Sequence, residues 1–181
     1  MKKNVLVIST SQRVKGNSDT LAQSFYQGAK ASGHHVEMIS LAHQTISFCK
    51  GCLVCQKSQP CVIQDDANVI VEKIQKADVI VFSTPIYFYE MSGQMKTLID
   101  RTNPLFIKDY QFRDIYLLAT AADEDESAID GAIKGLEGWI ACFEKCQLKG
   151  VIKGVGVDQY GEVNNHQELL EKAYQMGKEI V

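Results

Sequence analysis

The chain has 181 residues, 45% of them hydrophobic, and 19 Lys and Arg against 22 Asp and Glu give a formal net charge of -3. That length suits one folding unit, so residues 1–181 are read as a single domain, and interspersed charges leave no basic block to hold a nucleic-acid backbone. The opening run VLVIS is too short for a signal-peptide core of about 7 to 15 residues or for a membrane span, so the reading is a cytoplasmic protein with no membrane partner.

Residues 3–9 (KNVLVIS) have the length and Val/Ile content of a buried strand. A helix is predicted over 18–32, with Leu21, Ala22, Phe25 and Ala29 on one face, Asn17 or Ser18 as N-cap and Gly33 as its stop. Residues 35–41 alternate as a second strand, and after a cysteine-rich loop Asp65 and Asp66 cap a helix carrying Val69, Ile70 and Ile74. Residues 78–84 are continuous enough to lie buried in a parallel sheet. The alternation continues with a helix over 93–101, a strand over 114–120, a helix over 127–146, a strand over 148–157 and a helix over 166–181. This order predicts an α/β fold, a doubly wound five-stranded parallel sheet between two helical layers. Ligands in such sheets bind beyond the carboxyl ends of the strands, which directs attention to the loops after the first, third and fourth strands.

The first of these loops, residues 9–20, combines small hydroxyl residues with an Arg, a Lys, one Gly and an Asn-Ser pair at a helix start. Free backbone N–H groups and the helix dipole make such a start a phosphate site, although an ordinary capped loop has the same composition. Neither GxxxxGKS/T nor GxGxxG is present, so a monophosphate fits better than ATP or a dinucleotide. After the third strand, TPIYFY (84–89) supplies a Pro that stiffens the turn and side chains that either pack on a flat ring or cap the core.

The pattern SxSxRxxGNSxxLA, formed by Ser9, Ser11, Arg13, Gly16, Asn17, Ser18, Leu21 and Ala22, resembles the FMN-phosphate loop of the flavodoxin-like NADPH-dependent FMN reductase superfamily. STPIYFYEMSGQMKTLIDR (83–101) resembles that family's flavin-ring loop and the helix after it. The resemblance implies a flavodoxin-like fold, with the FMN phosphate held by Ser9, Ser11, Arg13, Gly16, Asn17 and Ser18. It implies that Thr84, Pro85, Ile86, Tyr87 and Phe88 hold the ring, and the small residues of 119–124 after the fourth strand allow Ala121 and Ala122 a close backbone approach to it. No side chain is assigned a catalytic role, because the flavin carries the chemistry. The implied activity is that of an FMN-dependent NAD(P)H oxidoreductase, with NAD(P)H as co-substrate and a quinone, free flavin or dye as acceptor. An electron carrier between protein partners is the alternative, and the resemblance implies a homodimer or homotetramer.

Cys49, Cys52, Cys55 and Cys61 follow the spacing C-x2-C-x2-C-x5-C. Zinc sites pair two knuckles across a longer loop, whereas compact runs suit iron–sulfur clusters. The run resembles that of the iron–sulfur flavoproteins, which implies a [4Fe-4S] cluster held by these four residues. A redox dithiol at Cys52 and Cys55, substrate-facing thiols and inert packing remain open beside it. Cys142 and Cys146, four apart on one predicted helix face, read as buried small hydrophobes. Asp100 and Arg101 read as a structural ion pair or subunit contact, and Trp139 reads as core with Leu136, Ile140 and Phe143.

Overall fold

The computed structural model describes residues 1–57 and 60–181. Its strands are β1 (Asn4–Ser9), β2 (His35–Ser40), β3 (Val79–Tyr87), β4 (Glu90–Met91), β5 (Asp114–Thr120) and β6 (Gln147–Gly154). Its α-helices are α1 (Asn17–Ala31), α2 (Asp66–Lys76), α3 (Gly93–Asp100), α4 (Asp130–Ile140) and α5 (Gln167–Lys178). The strands run in the order β2-β1-β3-β5-β6 with every pairing parallel, while β4 pairs only with β3 and antiparallel. With the two-residue β4 set aside, this is the five-stranded order of the flavodoxin-like doubly wound sheet.

Alternation along the strands divides the core between the faces of the sheet. Val5, Val7, Val79, Val81 and Leu118 pack with Leu21, Phe25 and Ala173 under α1 and α5. Leu6, Ile8, Ile80, Phe82 and Leu117 pack with Ile70, Leu98 and Leu136 under α2, α3 and α4. Helices α1 and α5 cross where each presents a glycine. A Cβ at Gly28 would overlap the Tyr174 carbonyl oxygen, and one at Gly177 would overlap that of Phe25. Alanine gains about 1 kcal/mol of helix propensity over glycine. Overpacking costs about 1 to 3 kcal/mol. Gly177→Ala is therefore expected to lower the urea midpoint of unfolding, and a raised midpoint would show that the helices separate freely.

Local chemistry moves several boundaries. Helix α1 starts one residue early, with Gly16 as N-cap and no side-chain cap, so neither Asn17 nor Ser18 caps it. The Asn17 amide instead donates to the carbonyls of Val157 (3.2 Å) and Gln159 (2.9 Å) and accepts from the Val163 N–H (3.1 Å). A capping side chain cannot also span to the segment after β6. Helix α4 ends at Ile140, six residues short of the predicted end, because tighter turns take over as Cys142 N–H bonds to Trp139 and Phe143 N–H to Ile140. Those turns bury the Phe143 ring and break the shared face expected of Cys142 and Cys146. Cys142 is exposed, whereas Cys146 is half-buried and burial pushes its thiol up to about 11.

Candidate functional site

The carboxyl ends of β1, β3 and β5 converge on a cavity of about 180 Å³. Ser11, Arg13, Asn17 and Ser18 line it from the loop after β1, Pro85, Ile86 and Tyr87 from β3, and Ala122 from the loop after β5. Thr120, Val157 and Asp158 complete the lining; sequence reasoning missed the last two and placed Thr120 in the segment after the fourth strand without singling it out. Thr120 ends a strand already identified, so its place beside Pro85 in the sheet register was available from strand pairing. Val157 and Asp158 lie in the segment tied down by Asn17, which no local pattern reveals.

The cradle has two features that suit an anion. Helical hydrogen bonding begins with Thr20 N–H to the Gly16 carbonyl, and among the described residues the N–H groups of Asn17, Ser18 and Asp19 have no acceptor. Arg13 lines the same cavity, and among the described residues its guanidinium has no carboxylate partner and no hydrogen-bond acceptor. The Ser11 hydroxyl shapes this loop by accepting from the Arg13 N–H at 3.1 Å. An unpaired guanidinium and free amides at a helix start are the donors a phosphate requires.

Other expected site residues lie behind the cavity or outside it. Ser9 is fully buried, and its hydroxyl has no partner among the described residues. Ala121 is spent on the sheet edge, its N–H donating to Gly154 and its carbonyl accepting from Val157. Thr84 is buried and accepts the Ser92 N–H at 3.0 Å. Ser92 caps α3 by accepting from Met95 N–H and lies 3.0 Å from the Thr10 hydroxyl, which itself donates to the Ser83 carbonyl at 2.9 Å. This buried hydroxyl chain, which the sequence does not announce, locks the loop after β1 to the end of β3 and the start of α3.

Strand β3 runs three residues past its predicted end and turns back into β4 through Phe88 (φ 52°) and Tyr89 (φ 62°). A two-residue hairpin with both φ positive usually contains Asn-Gly, and large side chains there carry strain of about 1 to 3 kcal/mol each. Packing holds it. The Tyr89 carbonyl lies where a Cβ on Gly131 would stand, and the Tyr89 hydroxyl is 3.1 Å from Asp123. The result thrusts Phe88 outward, 99% exposed, one residue beyond Tyr87 of the cavity lining.

The cysteines occupy the long loop between β2 and α2. Cys49 accepts weakly from Gly51 N–H (3.4 Å) and Asn103 Nδ2 (3.8 Å), Cys52 is exposed, and Cys55 and Cys61 are buried. Burial foremost, then charge on Cys61, Cys49 and Cys52, raises the Cys55 thiol, so the four sulfurs are electrostatic neighbours. Even so, among the described residues no three His, Cys, Asp or Glu side chains converge as a metal-holding set. Arg101, 2% exposed, clasps both ends of the loop by donating to the carbonyls of Ser47 (2.9 Å) and Ile63 (3.1 Å) and pairing with Asp65 at 2.7 Å. Asp100, its sequence neighbour, pairs instead with Lys96 on the surface.

Comparison with known proteins agrees with this architecture. The family model described as NADPH-dependent FMN reductase matches residues 3–134. An iron-sulfur flavoprotein of Methanocaldococcus jannaschii is 37% identical over 110 residues, covering 61% of this chain and 56% of the relative. A Bacillus subtilis protein, provisionally described as an NAD(P)H-dependent FMN-containing oxidoreductase, is 28% identical over 91% of this chain and 92% of its own. The chain spans about half the length of the iron-sulfur flavoproteins it matches. Among solved structures, an NAD(P)H:quinone oxidoreductase from Methanothermobacter marburgensis superposes with a TM-score of 0.73 over 99% of both chains, at 16% identity, which bears on the fold alone. Among the described residues no helix is long and apolar enough to cross a membrane.

Proposed function

Because the chain belongs to the NADPH-dependent FMN reductase family, we propose that its cradle holds FMN and that it oxidises NAD(P)H at the expense of a small-molecule acceptor such as a quinone, free flavin or dye. The observation that carries this reading is the Arg13 guanidinium, unpaired among the described residues, in one cavity with Asn17 and Ser18 at the N-terminus of α1. Those donors fit the terminal phosphate of FMN, and the hydroxyl of Thr120 with the carboxylate of Asp158 suits the polyol that follows it. At about 180 Å³ the cavity is smaller than the roughly 300 to 1,000 Å³ of whole-ligand pockets. The flat ring would therefore lie at its mouth, against Pro85, Ile86 and Tyr87.

When bound, FMN would supply the two-electron redox chemistry between a reduced nicotinamide and the acceptor. The protein's part is placement. Arg13 and the amides of Asn17, Ser18 and Asp19 would hold the phosphate end, and the Thr10–Ser92–Thr84 chain keeps that loop in register with β3. The exposed Phe88 favours a homodimer or homotetramer in which a second copy covers the hairpin.

The spacing of Cys49, Cys52, Cys55 and Cys61 supports a [4Fe-4S] cluster, and the relatives' description as iron-sulfur flavoproteins supports an iron–sulfur group without naming its type. Among the described residues these thiols do not converge as a metal-holding set, so as arranged they do not fit one.

Arg13→Ala tests the phosphate assignment. Loss of hydrogen bonds from a charged donor costs about 1.5 to 3 kcal/mol. Fluorescence titration is thus expected to show FMN bound about 10- to 150-fold more weakly. Undiminished affinity would place the phosphate elsewhere.

A further inference from the structure

Thr120, at the carboxyl end of β5, lines the cradle, whereas Tyr116, earlier in the same strand, lines a separate cavity of about 370 Å³ walled by β6 and α5. The two cavities share no lining residue. The volume falls within the range of small-molecule sites, about 300 to 1,000 Å³.

The fold leaves Tyr116 unsatisfied. It is 7% exposed, its ring packs on Phe25 with centroids 5.4 Å apart, and among the described residues its hydroxyl has no hydrogen-bond partner. Burying a hydroxyl without a partner is costly, and a phenylalanine would fill the same space without that cost. Burial foremost, then the Asp114 carboxylate, pushes the Tyr116 pKa up to about 12, so at neutral pH the hydroxyl keeps its proton and can donate.

The other lining groups complement that donor. Lys149 from β6 and Lys172 from α5 are exposed, and among the described residues neither ammonium has a carboxylate partner. Glu179 stands against them, which leaves one net positive charge among the lining side chains. The Gln175 carboxamide is already engaged, donating to Glu171 at 2.6 Å. Apolar surface comes from the Tyr116 ring and the Met176 side chain, which converge over Gly150, where a Cβ would stand 3.1 Å from each. A hydroxyl donor with two ammonium groups suits an oxyanion, and a polarizable thioether beside an aromatic ring suits a flat apolar body.

We propose that this cavity binds a small aromatic carboxylate, with the carboxylate taken by the Tyr116 hydroxyl and the two lysines and the ring laid against Met176. The site is independent of the FMN assignment, since no residue of the cradle lines it.

The test titrates benzoate into the full chain with FMN in excess, followed by saturation-transfer NMR, for the natural protein and for Tyr116→Phe. The substitution removes only a hydroxyl that no other side chain or carbonyl uses, so the urea midpoint of unfolding is expected to stay or rise. Benzoate affinity is expected to fall about tenfold or more, the loss of a hydrogen bond to a charged group. Benzamide, the neutral analogue, should bind the natural chain about tenfold more weakly than benzoate. Absence of benzoate binding, equal affinity for benzamide, or undiminished benzoate affinity in Tyr116→Phe would overturn the proposal. So would a lowered midpoint, which would show that the hydroxyl already serves the fold, or displacement of benzoate by an equal concentration of inorganic phosphate, which would show a site for any oxyanion.

Discussion

Asp65→Ala is expected to cost about 3 to 5 kcal/mol of stability, because it leaves the buried Arg101 guanidinium without its counter-charge. The side chains are 1% and 6% exposed and 2.7 Å apart, far from the conditions under which solvent screens a surface pair. Urea unfolding checks the figure, and a loss under about 1 kcal/mol would place the pair among exposed ones. The same carboxylate sets an acid limit. Burial pushes the Asp65 carboxyl up, but hydrogen bonds from Arg101 and from the Ser47 and Ala67 N–H groups outweigh it, and the net pKa lies below the ordinary 3.8. A depressed carboxyl contributes stability that is fully present above the unfolded value and disappears as pH falls through the folded one. Stability from this site should thus persist down to about the carboxyl's ordinary value and decline below it. The cysteine loop should loosen first, since the same guanidinium holds the carbonyls of Ser47 and Ile63.

Trp139→Ala should destabilise the chain by about 3 to 5 kcal/mol as well. Trp139 stacks on Phe112 (centroids 5.6 Å apart, interplanar 16°), meets Phe82 edge-on at 5.8 Å and touches Phe143 at 5.0 Å. Its indole N–H donates to the Thr102 hydroxyl at 2.9 Å, so truncation both opens a cavity and removes one of that buried hydroxyl's two partners, its donation to the Ile99 carbonyl (2.7 Å) remaining. Thermal unfolding of the variant measures the effect, and a change under 1 kcal/mol would require the aromatic cluster to collapse around the gap, which close packing opposes.

The parts of this fold legible in the sequence are those written as periodicity. Val5, Val7, Val79 and Val81 against Leu6, Ile8, Ile80 and Phe82 mark strands buried on both faces, and Leu21 with Phe25 or Leu136 with Trp139 marks helices that face the sheet. Asp65 is the N-cap its position promised, accepting from Ala67 N–H. Non-local features were not legible. Nothing near Arg101 foretells Asp65, 36 residues away, as its partner. The hairpin at Phe88 and Tyr89 lacks the Asn-Gly that announces such turns, because its geometry is imposed by the close approach of Gly131. At the cradle, the loop motif marked Ser11, Arg13, Asn17 and Ser18, which the structure gathers in one cavity, whereas Ser9, Gly16, Thr84, Phe88 and Ala121 stand outside its lining. A motif records that a segment is used, but only the fold decides which of its side chains face the ligand.

One anaerobic titration bears most directly on the proposed activity. The chain is incubated with FMN, freed of excess flavin, and followed by visible absorbance as NADPH and then menadione are added. The Arg13 cradle and family membership together predict a bound flavin that bleaches with NADPH and recovers its colour with menadione. A chain that emerges colourless, or a bound flavin that NADPH leaves oxidised, would contradict the assignment of this fold to NAD(P)H-dependent flavin reduction.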